Sequence, residues 1–258
     1  MPKSSILGTC RLCKEHSQLV NSHIIPEFLF RPLKESDGHF HVMSTDSKKA
    51  ELKRQKGMTE KLLCANCDNY RLSKYEEHLA RVLLGGIPIQ IAQNERLLIV
   101  KDYDYKKVKN GILSLLWRMS VSKILFFEAV SLGPRHEEQL RLTLLNDLEL
   151  EEEEYPVLLS APLFNGIGLG DWTLQPDVIR MDGNRVYRCL ISGLLFTYYV
   201  GSAPLNRFVS QLIIRRNGWN VVKSDVTEVP FLIDACMRLG DAASIRSHIK
   251  PRRQSRIQ

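Results

Sequence analysis

Two Cys-x-x-Cys pairs, Cys10/Cys13 and Cys64/Cys67, restrict the fold of this chain more than any other feature of its sequence. A Cys-x-x-Cys turn lets two thiolates converge on one ion, and two such turns complete a tetrahedral zinc site with four cysteine ligands. Four unrelated cysteines are the alternative, but both pairs share one spacing and lie in polar stretches. The pairs therefore predict a structural zinc ion held by all four cysteines.

Composition supports a metal rather than disulfides. The chain has 258 residues and is 44% hydrophobic, which predicts a soluble globular protein with a real core. It has no apolar run long enough to span a membrane, and the N-terminus lacks the apolar core of a secretory signal. We therefore expect a cytoplasmic protein, where a reducing environment favours metal binding by cysteine.

The net charge of +7 is unevenly distributed. Residues 1–110 contain 19 Lys and Arg against 13 Asp and Glu, and residues 246–258 contain 5 basic residues and no acidic ones. A polyanion such as DNA is a natural partner for this charge, although surplus lysines also serve solubility alone.

The segment between the cysteine pairs is polar and basic. Residues 37–57 predict a hairpin or a mobile loop. We predict that a basic cluster in it clamps phosphate groups, and a solvated loop is the alternative. The cluster consists of Lys48, Lys49, Lys53, Arg54 and Lys56.

Hydrophobic periodicity predicts a mixed fold of class α+β. A helical stripe begins near Asn69, and two short strands follow across the turn at residues 93–95. Residues 105–129 predict a long helix, and residues 137–145 predict a second one. Strands are predicted at 155–159, 176–181 and 186–200.

These elements suggest two domains. Residues 1–94 form the predicted zinc domain, and residues 95–258 form a mixed α/β domain of unidentified type that could dock a protein partner. The apolar helix contains Arg118, which if buried requires a partner. An acidic core residue or a ligand could pair with the guanidinium, or the side chain could extend to the surface.

The sequence between the pairs carries a family resemblance. It contains Asn-Ser-His-Ile-Ile-Pro at residues 21–26, and Leu62-Leu63 precede the second pair. A first zinc knuckle, a His-Ile-Ile-Pro turn and Leu-Cys-x-x-Cys leading into a helix resemble the HNH endonucleases. Their ββα-metal core is often built on a treble-clef zinc site. The resemblance covers about residues 8–82.

The resemblance implies a metal-dependent endonuclease that hydrolyses DNA phosphodiester bonds. His23 corresponds to the general base that takes a proton from water. A second divalent cation, usually magnesium, would bind the scissile phosphate, while the zinc ion is structural. Nucleases of this kind joined to an unrelated domain resemble effectors of bacterial restriction or anti-phage defence.

The sequence departs from the family pattern at several positions. Ser22 stands where the family has a metal-binding Asp or His, and Thr59 and Glu60 stand where it has the asparagine that orients the base. Asp68, with Glu76 two helical turns further on, would supply oxygen ligands for magnesium.

Each of these residues also has a structural interpretation. His23 could close a turn, Asp68 could cap the helix, and Glu76 could face solvent. The alternative function is a non-catalytic zinc-binding module that binds nucleic acid or a protein partner.

Overall fold

The computed structural model describes residues 6–31, 40–42, 52–54, 57–91, 94, 96–170 and 172–233. Helices and strands are mixed along the chain, so the predicted α+β class is confirmed. The described residues contain no helix that is both long enough and apolar enough to cross a membrane.

The N-terminal elements run from residue 6 to residue 83. They are β1 (Ile6–Thr9), β2 (His16–His23), α1 (Glu27–Phe30), β3 (Phe40–Val42), β4 (Leu52–Arg54), β5 (Thr59–Cys64), a π-helical segment (Cys67–Leu72) and α2 (Ser73–Leu83). Strands β1, β2 and β5 form an antiparallel sheet in that order, and β3 pairs with β4 as a separate hairpin. We call the part from β1 through α2 the cysteine unit.

The remaining elements build a larger sheet with three helices. They are β6 (Ile89–Ile91), β7 (Leu97–Val100), α3 (Tyr105–Val121), a 3₁₀ turn (Leu125–Phe127), α4 (Gly133–Leu145), β8 (Val157–Phe164), β9 (Ile167–Gly168), β10 (Asp177–Met181), β11 (Asn184–Ile191), β12 (Leu194–Val200), α5 (Arg207–Ser210), β13 (Trp219–Asp225) and a 3₁₀ turn (Val226–Glu228). The strand order is β10-β11-β12-β8-β13-β7-β6, with β9 paired to β8, and only the β8–β13 pair is parallel among the described strands.

Two predicted elements differ from the structure. Helix α3 ends at Val121 because Ser122 is extended, and residues 125–127 form a separate 3₁₀ turn. The apolar run at 186–200 is two strands rather than one, because Ser192 and Gly193 both have positive φ and reverse the chain. Ser192 also donates a hydrogen bond from Oγ to the Leu29 carbonyl oxygen, which ties this turn to α1.

Helix α3 lies at the centre of the molecule. It contributes buried residues on all its faces, and one continuous hydrophobic core runs from Cys10 through α3 to Val221 on the large sheet. Helix α2 crosses α3 closely at Gly111, where a Cβ atom would lie 3.3 Å from the Tyr75 carbonyl oxygen. The core therefore continues across the predicted boundary at residue 94, and that boundary stays a prediction.

The buried His78 on α2 predicts a loss of stability in mild acid. The Asp104 backbone N–H donates to its Nε2 at 3.0 Å, and burial lowers the pKa of His78 below its ordinary value. The unfolded chain therefore binds the proton first as pH falls below about 6.5. The contribution of His78 to the free energy of unfolding is complete above that pH and declines below it. Since glutamine accepts the same hydrogen bond without titrating, His78→Gln should flatten the fall in melting temperature between about pH 7.5 and about pH 5.5. Parallel wild-type and variant curves would contradict this role.

Candidate metal centre and the neighbouring histidine cluster

The first cysteine pair lies in the turn between β1 and β2. The Cys10 backbone N–H donates a hydrogen bond to the Glu15 carbonyl oxygen. Lys14 closes the turn with a positive φ of 67°, and its backbone N–H donates to the Cys10 carbonyl oxygen. This tight reversal directs Cys10 and Cys13 toward the same point. Cys10 is fully buried.

The second pair lies where β5 ends and the following helix begins. Cys64 is the last residue of β5 and pairs in register with Leu19 of β2, and Cys67 opens the π-helical segment. The Arg11 backbone N–H donates to the Leu62 carbonyl oxygen, which fastens the first turn to β5. Strand pairing therefore brings together two cysteine pairs that are far apart in the sequence.

The four sulfur atoms form a compact cluster. All lie within 4.8 Å of one another, and the Cys13 and Cys64 Sγ atoms are 3.9 Å apart. Metal–sulfur bonds of about 2.3 Å in a tetrahedron place the sulfurs roughly 3.8 Å apart, so the separation fits a shared ion. The predicted convergence of these cysteines is confirmed, and the cluster is consistent with a structural metal site.

Hydrogen bonding in this cluster favours a thiolate at Cys10, while the hydrogen bond to Cys10 raises the pKa of Cys67 and burial raises the pKa of Cys13. The Cys67 thiol and the Cys64 backbone N–H, which is 3.3 Å from Cys10 Sγ, lower the pKa of Cys10. A thiolate is the form of cysteine that binds metals. The donor chemistry and the sulfur spacing together fit a thiolate-preferring cation.

An arginine side chain from α4 supports the first cysteine turn. Arg141 is 8% exposed and donates from Nη1 to the Leu12 carbonyl oxygen at 2.5 Å. Its Nη2 atom lies 2.7 Å from Glu138 Oε1 in a salt bridge within the helix. Sequence reasoning missed this hydrogen bond, because nothing local links α4 to a turn so distant in the chain.

A second group of predicted residues gathers where β2 ends. Ser22 is fully buried, and its Oγ accepts a hydrogen bond from the Leu63 backbone N–H at 3.2 Å. Burial raises the pKa of Asp68 above its ordinary value, while the Ser22 hydroxyl, the Arg118 guanidinium and His23 act to lower it. Ser22 and His23 thus lie close enough to Asp68 to affect its pKa, and we call these three residues the histidine cluster.

The Glu76 carboxylate beside this cluster is already paired. Its Oε1 atom lies 2.7 Å from Nη1 of Arg118, whose side chain is only 1% exposed. Within the described ranges, only the four cysteines bring three or more Cys, His, Asp or Glu ligand atoms into such a compact group. Magnesium binding by Asp68, Ser22 or Glu76 therefore stays a prediction.

The side chain of His23 is 37% exposed and faces a carboxylate. Its Nε2 atom lies 3.5 Å from Oε2 of Glu27, which is the first residue of α1. Sequence reasoning missed Glu27, although its spacing of four residues from His23 could have drawn attention to it. A carboxylate at this distance can orient an imidazole.

Other contacts are made by Thr59 and Glu60, which stand where the HNH resemblance implies an asparagine. Thr59 is the β5 partner of His23 in the strand register. Glu60 accepts hydrogen bonds at Oε2 from the Ser122 hydroxyl at 2.7 Å and the Lys123 backbone N–H at 2.9 Å. Glu60 therefore fastens β5 to the end of α3.

The predicted basic cluster falls largely outside the described residues. Lys48, Lys49 and Lys56 are not described, and Lys53 and Arg54 are described only as backbone in β4. Phosphate binding by this cluster stays a prediction. The described strands β3 and β4 agree with the hairpin that was one of the two expectations for this segment.

Fold and site together define a mixed α+β protein whose cysteine unit contains a compact four-cysteine centre. No family model, curated protein or solved structure matches the chain.

Proposed function

We propose that this protein is an HNH-like, metal-dependent endonuclease that hydrolyses DNA phosphodiester bonds, built on a treble-clef zinc unit. The observation that supports it best is the partly exposed His23 imidazole at the end of β2, near enough to Asp68 to lower the pKa of its carboxyl. A general base must reach solvent and lie near a group able to hold the phosphate-binding cation.

The arrangement of the cysteines supports the treble-clef assignment. One pair lies in a hairpin turn, and the other joins a strand to a helix. We propose zinc as the ion because soft thiolate ligands in a tetrahedral set of four are typical of structural zinc sites. Such a centre has no open position for a substrate, so the chemistry belongs to the histidine cluster.

In the proposed mechanism, His23 removes a proton from a water molecule. The resulting hydroxide oxygen forms a bond to phosphorus, the P–O bond to the leaving sugar oxygen breaks, and a proton from solvent neutralises the leaving group. Glu27 orients the imidazole from 3.5 Å. A magnesium ion held by Asp68 would supply charge stabilisation to the phosphate.

The direct test is plasmid cleavage by the zinc-loaded protein in magnesium, manganese or calcium. Nicking or linearisation that depends on an added divalent cation would support the proposal. DNA binding without cleavage in every metal would refute it and would favour a non-catalytic zinc-binding module. The pairing of Glu76 with Arg118 favours that second function, because it occupies a predicted ligand.

If the protein binds DNA under either function, the basic cluster should contribute to that binding. Neutralising Lys48, Lys49, Lys53 and Arg54 removes four positive charges, each of which could bind a phosphate. The slope of log K against log salt should then become shallower by up to about 0.9 for each phosphate that is no longer neutralised. Fluorescence anisotropy with a labelled duplex at several salt concentrations measures this slope. If the slope is unchanged, the cluster does not bind phosphate.

We also propose a biological setting for this activity. A nuclease unit joined to an unrelated sheet domain suits an effector of bacterial restriction or anti-phage defence that acts in the cytoplasm. The larger sheet would then dock a partner or sense the invading DNA. This setting rests on the HNH resemblance, and protection of cells expressing the wild type but not His23→Ala from phage infection would test it.

A further inference from the structure

Arg118 is a buried charge that joins the long central helix to the histidine cluster. It lies near the C-terminal end of α3 and is 1% exposed. A buried guanidinium is costly unless its donors are paired, so its partners indicate what the position is for.

Each of these partners is well defined. Nη1 of Arg118 donates to the His23 carbonyl oxygen at 2.7 Å and lies 2.7 Å from Glu76 Oε1. Ser114, one turn earlier in α3, accepts from Nε at its carbonyl oxygen and from Nη2 at its Oγ, both at 3.3 Å. Ser114 therefore fixes the guanidinium on α3, and the guanidinium fixes the end of β2 and helix α2.

These hydrogen bonds restrain the backbone of His23 from two sides. Strand β5 holds it through pairing with Thr59, and Arg118 holds its carbonyl oxygen from the core. The imidazole remains partly exposed. Because Arg118 is buried, it would act on substrate only through the residues that it holds.

We infer that Arg118 is a positioning residue, which fixes His23 for proton transfer and keeps Glu76 as an ion-pair partner rather than a cation ligand. The catalytic part of this inference rests on the proposed nuclease function. Helix α3 lies outside the stretch that resembles the HNH family, so a residue from outside that stretch supports the histidine cluster.

The test compares Arg118→Met and Arg118→Lys with the wild type. A matched control is Arg188→Met on the large sheet, where a largely buried arginine pairs with Asp177 instead. Zinc content and melting temperature establish folding. The ring signals of His23, assigned by NMR with His23→Gln, report its position independently of any cleavage, and plasmid cleavage gives kcat and KM.

We expect Arg118→Met to move the His23 ring signals and to lower kcat about a hundredfold, with KM for DNA changed by no more than about twofold. Arg118→Lys should restore part of the wild-type His23 ring signals and of kcat. Arg188→Met should leave the ring signals and kcat unchanged. Unchanged His23 signals and kcat in folded Arg118→Met would overturn the inference. If Arg118→Met does not fold, unchanged values in Arg118→Lys would overturn it instead.

Failure of the proposed function gives a different pattern. If the wild type cuts no DNA in any divalent metal while Arg118→Met moves the His23 signals, the nuclease proposal is refuted and the positioning of His23 stands.

Discussion

Replacing Cys10 or Cys64 by serine is expected to release about one metal ion per chain and to unfold the cysteine unit. The sheet of β1, β2 and β5 is small, and both cysteines are buried. Structural zinc sites contribute about 10–16 kcal/mol of apparent binding free energy at neutral pH, most of which is folding energy in such small units. Loss of one thiolate ligand therefore weakens a binding free energy that is comparable with the whole stability of a typical domain.

Metal content measured by mass spectrometry, thermal melting and amide hydrogen exchange would check this prediction. Exchange should accelerate first in β1, β2, β5 and the π-helical segment, because these elements contain or adjoin the clustered cysteines. Cys189→Ala is the matched control, since Cys189 is a buried cysteine on β11 that packs near Met119 and lies outside the cluster. A metal-free Cys10→Ser protein with wild-type melting would show that the centre is not structural.

The sequence was informative about the cysteine centre because its geometry has local causes. A Cys-x-x-Cys turn converges two sulfurs wherever it forms, so only the pairing of β2 with β5 remained to be supplied by the fold. The four clustered cysteines could therefore be named from spacing alone.

The surroundings of the histidine cluster could not be predicted in the same way. Arg118 and Ser22 reach their partners through tertiary packing, and no periodicity encodes a hydrogen bond across 95 residues between Arg118 and His23. The turn at Ser192 and Gly193 was missed for a different reason. Apolar residues flank it on both sides, so a single buried strand and two paired strands give the same hydrophobic pattern.

His23→Ala is expected to lower the rate of metal-dependent plasmid cleavage by about 10²–10⁴-fold, the usual contribution of a general base. Its metal content and melting temperature should remain close to those of the wild type, because the His23 side chain is partly exposed and the cysteine cluster does not include it. His16→Ala is the control, since His16 lies at the opposite end of the same strand and is exposed.

The comparison of these two variants separates a catalytic imidazole from a structural one. If His23 only closed the turn before Pro26, alanine would lower the melting temperature, and the remaining folded protein would cut at the wild-type rate. A general base gives the opposite pattern, in which folding is retained and turnover is lost. Glu27→Gln should then give a smaller loss of turnover, because it removes the charge that orients the imidazole while leaving the imidazole in place. Equal cleavage by wild type, His23→Ala and His16→Ala would exclude His23 from the mechanism.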